Sequence, residues 1–172
     1  MSDLLNLISR TVGKQDVLRA VAYIGSDEKK TTEIVTLSCS SDAKISMKAA
    51  WVLRYVAKKN KNIVQPFLPK IITHLESCTF SCQRSLLNTL EYFQIPTALE
   101  DETYNACFNI LLDKASPVAN KACSMEILSP ICLKYPDLSN ELILVIEDLL
   151  INGSAGIKSK GTKIIKRLKN QK

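Results

Sequence analysis

The sequence predicts an all-α fold of stacked antiparallel helix pairs, an α-solenoid. A basic residue followed by a small one opens four apolar stretches, and successive copies lie 36, 37 and 39 residues apart. This period suits two helices and two turns, the unit of a solenoid. The composition agrees, because 5 Gly and 6 Pro are few for a turn-rich β protein. The four copies are Lys48-Ala49, Arg84-Ser85, Lys121-Ala122 and Lys160-Gly161.

Helical periodicity and helix-stop residues predict the individual elements. Gly13 and Gly25 separate the first three helices, and Ile45, Ala49 and Leu53 give the fourth its apolar face. No stretch alternates apolar and polar residues as a strand would. The predicted helices are 3–10, 14–24, 27–39, 43–59, 63–76, 81–94, 100–114, one beginning at 116–117, 138–151 and 156–169.

Three prolines and one very apolar segment predict departures from regular, one-sided helices. Pro66 and Pro69 fall inside helix 63–76, so its regular part is expected to begin near Pro69 after an irregular turn. Pro130 predicts a kink or an early stop near Ser129. Helix 138–151 is apolar on most sides, which indicates a helix packed between layers.

The chain is long enough to bury a core as a single domain. The interpretation is one solenoid domain over 1–172. Within it, 1–40 form divergent N-terminal helices, 42–152 the repeat body and 156–170 a basic C-terminal capping helix.

The formal charge of +6 comes from the end of the chain. Residues 1–157 carry 16 basic and 17 acidic groups, so the body is nearly neutral. A helix with this many cations can attract nucleic acid or an anionic membrane, but a terminal repeat also needs a polar outer face, and capping is the preferred role. The basic residues of this segment are Lys158, Lys160, Lys163, Lys166, Arg167, Lys169 and Lys172.

Six cysteines lie mostly in amphipathic stretches, where free Cys behaves as a small apolar residue. This favours a reduced, cytoplasmic chain. The N-terminus does not have the pattern of a signal peptide, and no run of about 18 apolar residues predicts a membrane span.

Helix 43–59 contains Asp42-x-x-Ile45-x-x-Lys48-Ala49-Ala50-Trp51-Val52-Leu53, and Pro117-Val118-x-x-Lys121-Ala122-Cys123 repeats part of it. These segments resemble the second helix of a HEAT-type repeat, with departures at Ser46, Ser81 and Ala119. The resemblance covers roughly residues 42–170. It implies a right-handed α-α superhelix of about four to five helix pairs, with second helices lining a concave groove.

The resemblance also implies binding rather than catalysis. The first hypothesis is a non-enzymatic scaffold or interaction module that binds an unidentified protein or peptide in its groove, and the basic residues would suit an acidic one. The alternative is a nucleic-acid binder related in layout to the HEAT-like DNA glycosylases that act on alkylated bases. The sequence shows no phosphate loop, nucleophile elbow or paired metal ligands, and no cofactor is expected.

Lys48, Arg84, Lys121 and Lys160 occupy equivalent first-turn positions and are candidates for a basic row along the groove. The same residues are also typical of a solvated helix surface. Trp51 and Tyr55, one turn apart on the helix of Lys48, are a candidate aromatic patch for stacking or anchoring. Core packing explains Trp51 as well and is preferred.

His74, Cys78 and Cys82 are spaced as i, i+4 and i+8, which suggests zinc ligands on one continuous helix. Ser77, Thr79 and Ser81 instead predict that one helix ends and another begins here. Structural zinc also takes four protein ligands. The sequence therefore favours a tight turn, and no metal is assigned.

Overall fold

A computed structural model describes residues 2–170, and all the regular secondary structure in this range is helical. The all-α prediction is confirmed. The α-helices are α1 (Asp3–Arg10), α2 (Lys14–Ile24), α3 (Glu28–Ser38), α4 (Ala43–Lys59), α5 (Lys61–Val64), α6 (Leu68–His74), α7 (Phe80–Leu90), α8 (Glu100–Leu112), α9 (Val118–Cys132), α10 (Pro136–Ile151) and α11 (Ala155–Lys169), with 3₁₀ helices at Gln65–Phe67 and Thr97–Leu99.

Polar N-cap side chains explain why several helices begin where they do. The Asp42 carboxylate accepts hydrogen bonds from the backbone of Lys44 and Ile45, which starts α4. Thr79 caps α7 in the same way, and Ser154 caps α11. Each cap satisfies a backbone N–H that has no partner inside the helix.

The chain divides into two compact units, one ending at Gln94 and the other beginning at Ile95. The first unit is built around α4, which packs against α2, α3 and α7. Ala49, Ala50 and Leu53 on α4 are fully buried, and the two alanines allow neighbouring helices to approach closely. The repeat helices α4 and α7 therefore lie side by side.

The second unit is built around α9, which packs against α8, α10 and α11. The contact between α10 and α11 is close at Gly161. A Cβ atom there would lie 2.7 Å from Cγ2 of Ile146 and 2.9 Å from Cδ2 of Leu150. The small residue of the fourth repeat copy is thus required by packing.

The irregular turn expected around Pro66 and Pro69 is confirmed. The chain passes from α5 through the 3₁₀ helix Gln65–Phe67 into α6, with Pro69 in the first turn of α6. A proline is tolerated there because its missing N–H has no helical acceptor.

Other predicted helix ends differ in part from those observed. Of the two outcomes expected at Pro130, the early stop does not occur, because α9 continues to Cys132. Helix α7 ends at Leu90, earlier than the predicted residue 94, and two turn hydrogen bonds follow it. The Ile95-Pro96 pair keeps Ile95 out of the helical region, and the turn hydrogen bonds at Tyr92 and Phe93 end the regular helix before it.

The expectation that helix 138–151 is covered on most sides is also wrong. Helix α10 packs against α9 and α11, but Leu144 and Ile151 are 67% and 70% exposed. Its high apolar content therefore exceeds what its packing in this unit requires.

Candidate functional site

An open pocket of about 340 Å³ lies between α4 and α7 in the first unit. Each helix contributes one stripe of side chains. The lining residues are Met47, Lys48, Trp51 and Arg54 from α4, and Ser81, Arg84, Ser85 and Asn88 from α7.

Helical spacing explains how these residues reach one surface. On α7 the other lining residues lie three, four and seven positions after Ser81, which is the spacing of a single helix face. The opposite sides of both helices are occupied by buried apolar residues. Ser81 and Ser85 are small, and they leave the space that the larger side chains of α4 border.

The pocket is positively charged. Lys48, Arg54 and Arg84 line it, and no carboxylate does among residues 2–170. The ammonium of Lys48 donates a 2.6 Å hydrogen bond to the carbonyl of Ser9, which fixes the side chain but does not neutralise it. In the described part of the chain, neither Arg54 nor Arg84 forms an ion pair. Their guanidinium groups are thus available to an external acceptor.

Trp51 gives the pocket an apolar wall. Its side chain is half-buried and borders the pocket, whereas the sequence favoured a place in the core. Met47 beside it is 38% exposed. Tyr55, the other aromatic candidate, is half-buried but does not line the pocket.

The remaining two members of the basic row lie in the second unit and have internal partners. Lys121 is only 8% exposed, and its ammonium donates a 3.0 Å hydrogen bond to the carbonyl of Leu111. This carbonyl belongs to the last turn of α8, where helical carbonyls lack intrahelical donors and attract cations. Lys121 is therefore not an exposed surface cation, although its side chain does line an open pocket of about 380 Å³ in the second unit.

Lys160 is the second of these and pairs with Glu126 at 2.9 Å. Arg167 reaches the other oxygen of the same carboxylate at 2.9 Å. Partial burial alone would raise the pKa of Glu126, but the hydrogen bonds from Lys160 and Arg167 outweigh it and hold the pKa below its usual value. Glu126 thus anchors the basic helix to α9.

The other cations of α11 divide into two groups. Lys169 pairs with Glu147 at 3.0 Å, and both side chains are about half exposed. Lys158, Lys163 and Lys166 are exposed and have no ion pair among residues 2–170. Lys172 lies outside the described residues. Part of the basic helix is therefore bound internally, and three lysines remain at the surface.

The structure also brings His74, Cys78 and Cys82 together. A ring nitrogen of His74 and the two sulfur atoms all lie within 4.8 Å of one another. Nitrogen and thiolate sulfur are the ligands that Zn²⁺ prefers. The helix break predicted between these residues is present, and it gathers the donors instead of separating them.

The family model of the HEAT repeat domain matches residues 4–168. The chain belongs to the HEAT repeat family. A search of curated proteins and a search of solved structures each found no match.

HEAT repeats generally mediate protein interactions, and HEAT repeat domains are typically non-catalytic. No helix within residues 2–170 combines the length and the apolar character that crossing a membrane requires.

Sequence reasoning missed several residues of this HEAT repeat pocket. Arg54 lies three residues after Trp51 and Asn88 lies four after Arg84, so both share a face with a predicted site residue. That spacing was a usable signal. The internal partners of Lys121 and Lys160 had no comparable signal, because Leu111 and Glu126 lie on other helices.

Proposed function

We propose that this chain is a non-enzymatic interaction module whose α4–α7 pocket binds an acidic segment of a partner protein. The observation that carries the proposal is the unbalanced positive charge of the pocket. Lys48, Arg54 and Arg84 border it, and no carboxylate of the described chain does. A bound acidic segment would supply the missing charge.

The lining residues suit this ligand. An arginine guanidinium can hold a carboxylate through two parallel hydrogen bonds, and the pocket has two arginines. Trp51 and Met47 offer an apolar surface beside them, and tryptophan and arginine are the residues that most often dominate binding energy at interfaces. The best ligand therefore combines acidic residues with one aromatic or aliphatic side chain.

The pocket volume sets the scale of that ligand. At about 340 Å³ it is at the lower end of the range for sites that hold small molecules. It suits one large side chain of the partner with its charged neighbours. A longer contact would extend along the exposed surfaces of α4 and α7.

Trp51 makes the proposal directly measurable, because it is the only tryptophan in the chain. Peptides would be selected from a displayed random library against the full chain, and binding would be followed by tryptophan fluorescence. We expect acidic peptides with an apolar anchor to be selected and to change the Trp51 emission.

Charge reversal locates the interaction. Arg84→Glu should weaken peptide binding at least about tenfold, which corresponds to about 1.4 kcal/mol. Lys44→Glu is the matched control, since Lys44 is an exposed cation on α4 outside the pocket and the charge change is the same. Equal affinity of both variants for the selected peptides would contradict the proposal.

Duplex DNA provides the competing outcome. Phosphates would also be attracted to three cations, and binding through them should weaken steeply with salt. If DNA bound with such a slope, lost affinity in Arg84→Glu and displaced the peptides, nucleic acid would replace an acidic protein as the ligand.

A further inference from the structure

A second cluster of interacting side chains lies where α6 ends and α7 begins. His74 is the last residue of α6, Cys78 lies in the connecting turn, and Cys82 is in the first turn of α7. The turn folds the chain back so that the donor atoms of all three lie within 4.8 Å of one another. This cluster is separate from the α4–α7 pocket, whose lining includes none of the three.

The separation of the donors is close to what a metal ion requires. With Zn–S distances near 2.3 Å and Zn–N distances near 2.0 Å, the ligand atoms of a tetrahedral site lie about 3.5 to 3.8 Å apart. The observed upper limit of 4.8 Å exceeds this by about 1 Å. Binding of an ion would therefore require the side chains to rotate inward by that amount.

His74 has a buried nitrogen without a partner. Its Nδ1 lies 3.1 Å from the hydroxyl oxygen of Ser77, whereas Nε2 is buried and forms no hydrogen bond. Buried polar atoms are nearly always satisfied, so an exception calls for an explanation. Ser77 holds one side of the ring in the way that outer hydrogen bonds orient metal-binding histidines, which leaves Nε2 for a ligand.

The protonation state of the His74 imidazole is also the one that metal binding requires. Burial, assisted by the charge of Lys70, lowers the pKa of His74 below its usual value. The ring is therefore neutral at physiological pH, and a neutral imidazole is the form that binds metal.

The buried sulfur of Cys82 has several polar neighbours. As a thiol it donates to the carbonyl oxygens of Ser38 and Ser46, at 3.6 and 3.8 Å. The hydroxyl oxygen of Ser46 lies 3.1 Å from the Cys82 sulfur. The N-terminus of α7 adds its positive dipole. These contacts support a sulfur ligand in a buried position.

An adjoining cavity supplies access and a further donor. It has a volume of about 300 Å³ and is lined by His74 and Cys78 from one side and by residues of the α3–α4 turn from the other. Among its lining residues, Cys39 at the end of α3 is the one additional thiol. Cys39 lies outside the group of donor atoms within 4.8 Å of one another, so its side chain would have to turn toward an ion bound there.

We propose that His74, Cys78 and Cys82, with Cys39 as the fourth ligand, form a site for a thiophilic metal ion of the Zn²⁺ class. Three thiolates and one imidazole are a ligand set of tetrahedral structural zinc sites. Binding releases the thiol protons to solvent and involves no change of oxidation state. The ion would connect the α3–α4 turn to the α6–α7 turn, and so join successive parts of the first unit.

The test uses the reduced full-length chain after removal of metal with a chelator. Titration with Co²⁺, a spectroscopic substitute for Zn²⁺, should give the absorption of a tetrahedral thiolate complex, saturating at one ion per chain. Zn²⁺ should displace it and raise the melting temperature, because a ligand that binds the folded state stabilises it. Absence of any stoichiometric binding would overturn the proposal.

Variants assign the ligands. His74→Gln and Cys78→Ser should each weaken Zn²⁺ binding at least about tenfold, since even loss of an outer-shell partner costs ten- to a hundredfold. Cys123→Ser in α9 is the control, as a half-buried cysteine of the second unit. Circular dichroism and Trp51 fluorescence establish that each variant is folded. Unchanged affinity in His74→Gln and Cys78→Ser would refute the site, and unchanged affinity in Cys39→Ser would refute Cys39 as the fourth ligand.

Discussion

At the scale of single residues, Lys48 and Lys121 occupy equivalent repeat positions but have different partners. The Lys48 side chain borders the open pocket and donates to the Ser9 carbonyl. The Lys121 side chain is buried and donates to the Leu111 carbonyl at the end of α8. Both ammonium groups therefore donate to a carbonyl in the last turn of another helix, but Lys48 is half-buried whereas Lys121 is almost fully buried.

Replacing Lys121 should destabilise the fold. Lys121→Met keeps an unbranched apolar side chain but leaves the Leu111 carbonyl without its donor, at a cost of about 1 to 2 kcal/mol. Urea denaturation followed by circular dichroism measures the change. Lys114→Met, at an exposed lysine nearby, is the control and should have little effect. If both variants were equally stable, the proposed cap would make no net contribution.

Glu100 should make stability depend on pH. Its side chain is 2% exposed and contacts the Lys134 ammonium, and the Tyr135 hydroxyl donates to it at 3.0 Å. The hydrogen bond from Lys134 is the main cause that lowers the pKa of Glu100. The ionised carboxylate therefore stabilises the fold above its unfolded-state pKa, and this contribution is lost as pH falls through the lower folded-state pKa.

Glu100→Gln should consequently be less stable than the natural chain near neutral pH. The difference should shrink in acid, at about pH 3, which is below the unfolded-state Glu pKa of about 4.3. Urea denaturation at both pH values measures it. Glu147→Gln is the control, because the Glu147–Lys169 pair is about half exposed and such pairs contribute little. A destabilisation independent of pH would mean that charge is not the cause.

At the scale of helices, the small residue of each repeat copy has a packing role that depends on its neighbours. Ala49 on α4 is fully buried, and Gly161 lets α11 approach α10. Ser85 instead borders the pocket, where its small size contributes open space. The recurring small residue is thus explained by helix contacts at some copies and by the open pocket at another.

Gly161→Ala should be destabilising even though alanine favours helices. Its Cβ would lie 2.7 Å from Cγ2 of Ile146, a fully buried β-branched residue with little rotational freedom. Overpacking of this kind costs about 1 to 3 kcal/mol, against a gain of about 1 kcal/mol from helix propensity.

Gly156→Ala on the same helix is the matched control. Its nearest contact would be 3.6 Å from Val118, which is ordinary van der Waals distance. It should leave the melting temperature unchanged or raise it, while Gly161→Ala lowers it. Equal melting temperatures for the two variants would show that the α10–α11 contact can adjust to the added methyl group without loss of stability.

Sequence periodicity predicted most helices correctly, because the apolar spacing within a helix is local. The bounds of α1, α2 and α4 agree with the prediction at both ends. The early end of α7 was missed, and at Pro130 the sequence left a kink and a stop as alternatives, of which the stop does not occur. The outcome at such sites depends on whether tertiary packing offsets the lost backbone bond, and one local segment does not contain that information.

At the scale of the whole molecule, the net charge of the sequence does not show which cations remain unpaired in the fold. The formal charge of +6 arises from the terminal segment. Within it, Glu126 binds Lys160 and Arg167, and Glu147 binds Lys169. Lys158, Lys163 and Lys166 are left exposed on α11. The density of free cations at this end is therefore lower than the sequence indicates.

Retention on a heparin column should report these remaining lysines. Replacing Lys158, Lys163 and Lys166 together by Gln should lower the salt concentration for elution, because clustered cations neutralise neighbouring charges of a polyanion. The control is the triple variant of Lys14, Lys29 and Lys61, which are exposed in the first unit and remove the same net charge. Equal shifts would mean that total charge alone determines retention.

The candidate site was predictable in part. Lys48, Arg84 and Trp51 were identified from the repeat, and they do line one pocket. The sequence did not show that Lys121 and Lys160 are held by Leu111 and Glu126. Which surface cations are neutralised depends on side chains brought near by the fold, so periodicity can locate a position but not its partner.

The buried ammonium of Lys121 has a consequence for mutational tolerance. In a library of all substitutions at Lys48 and Lys121, selected only for folding, Lys48 should accept more residues because its side chain is only half-buried. Lys121 should behave like a core position and reject short, acidic and β-branched residues. Two positions that are equivalent in the repeat would thus accumulate substitutions at different rates.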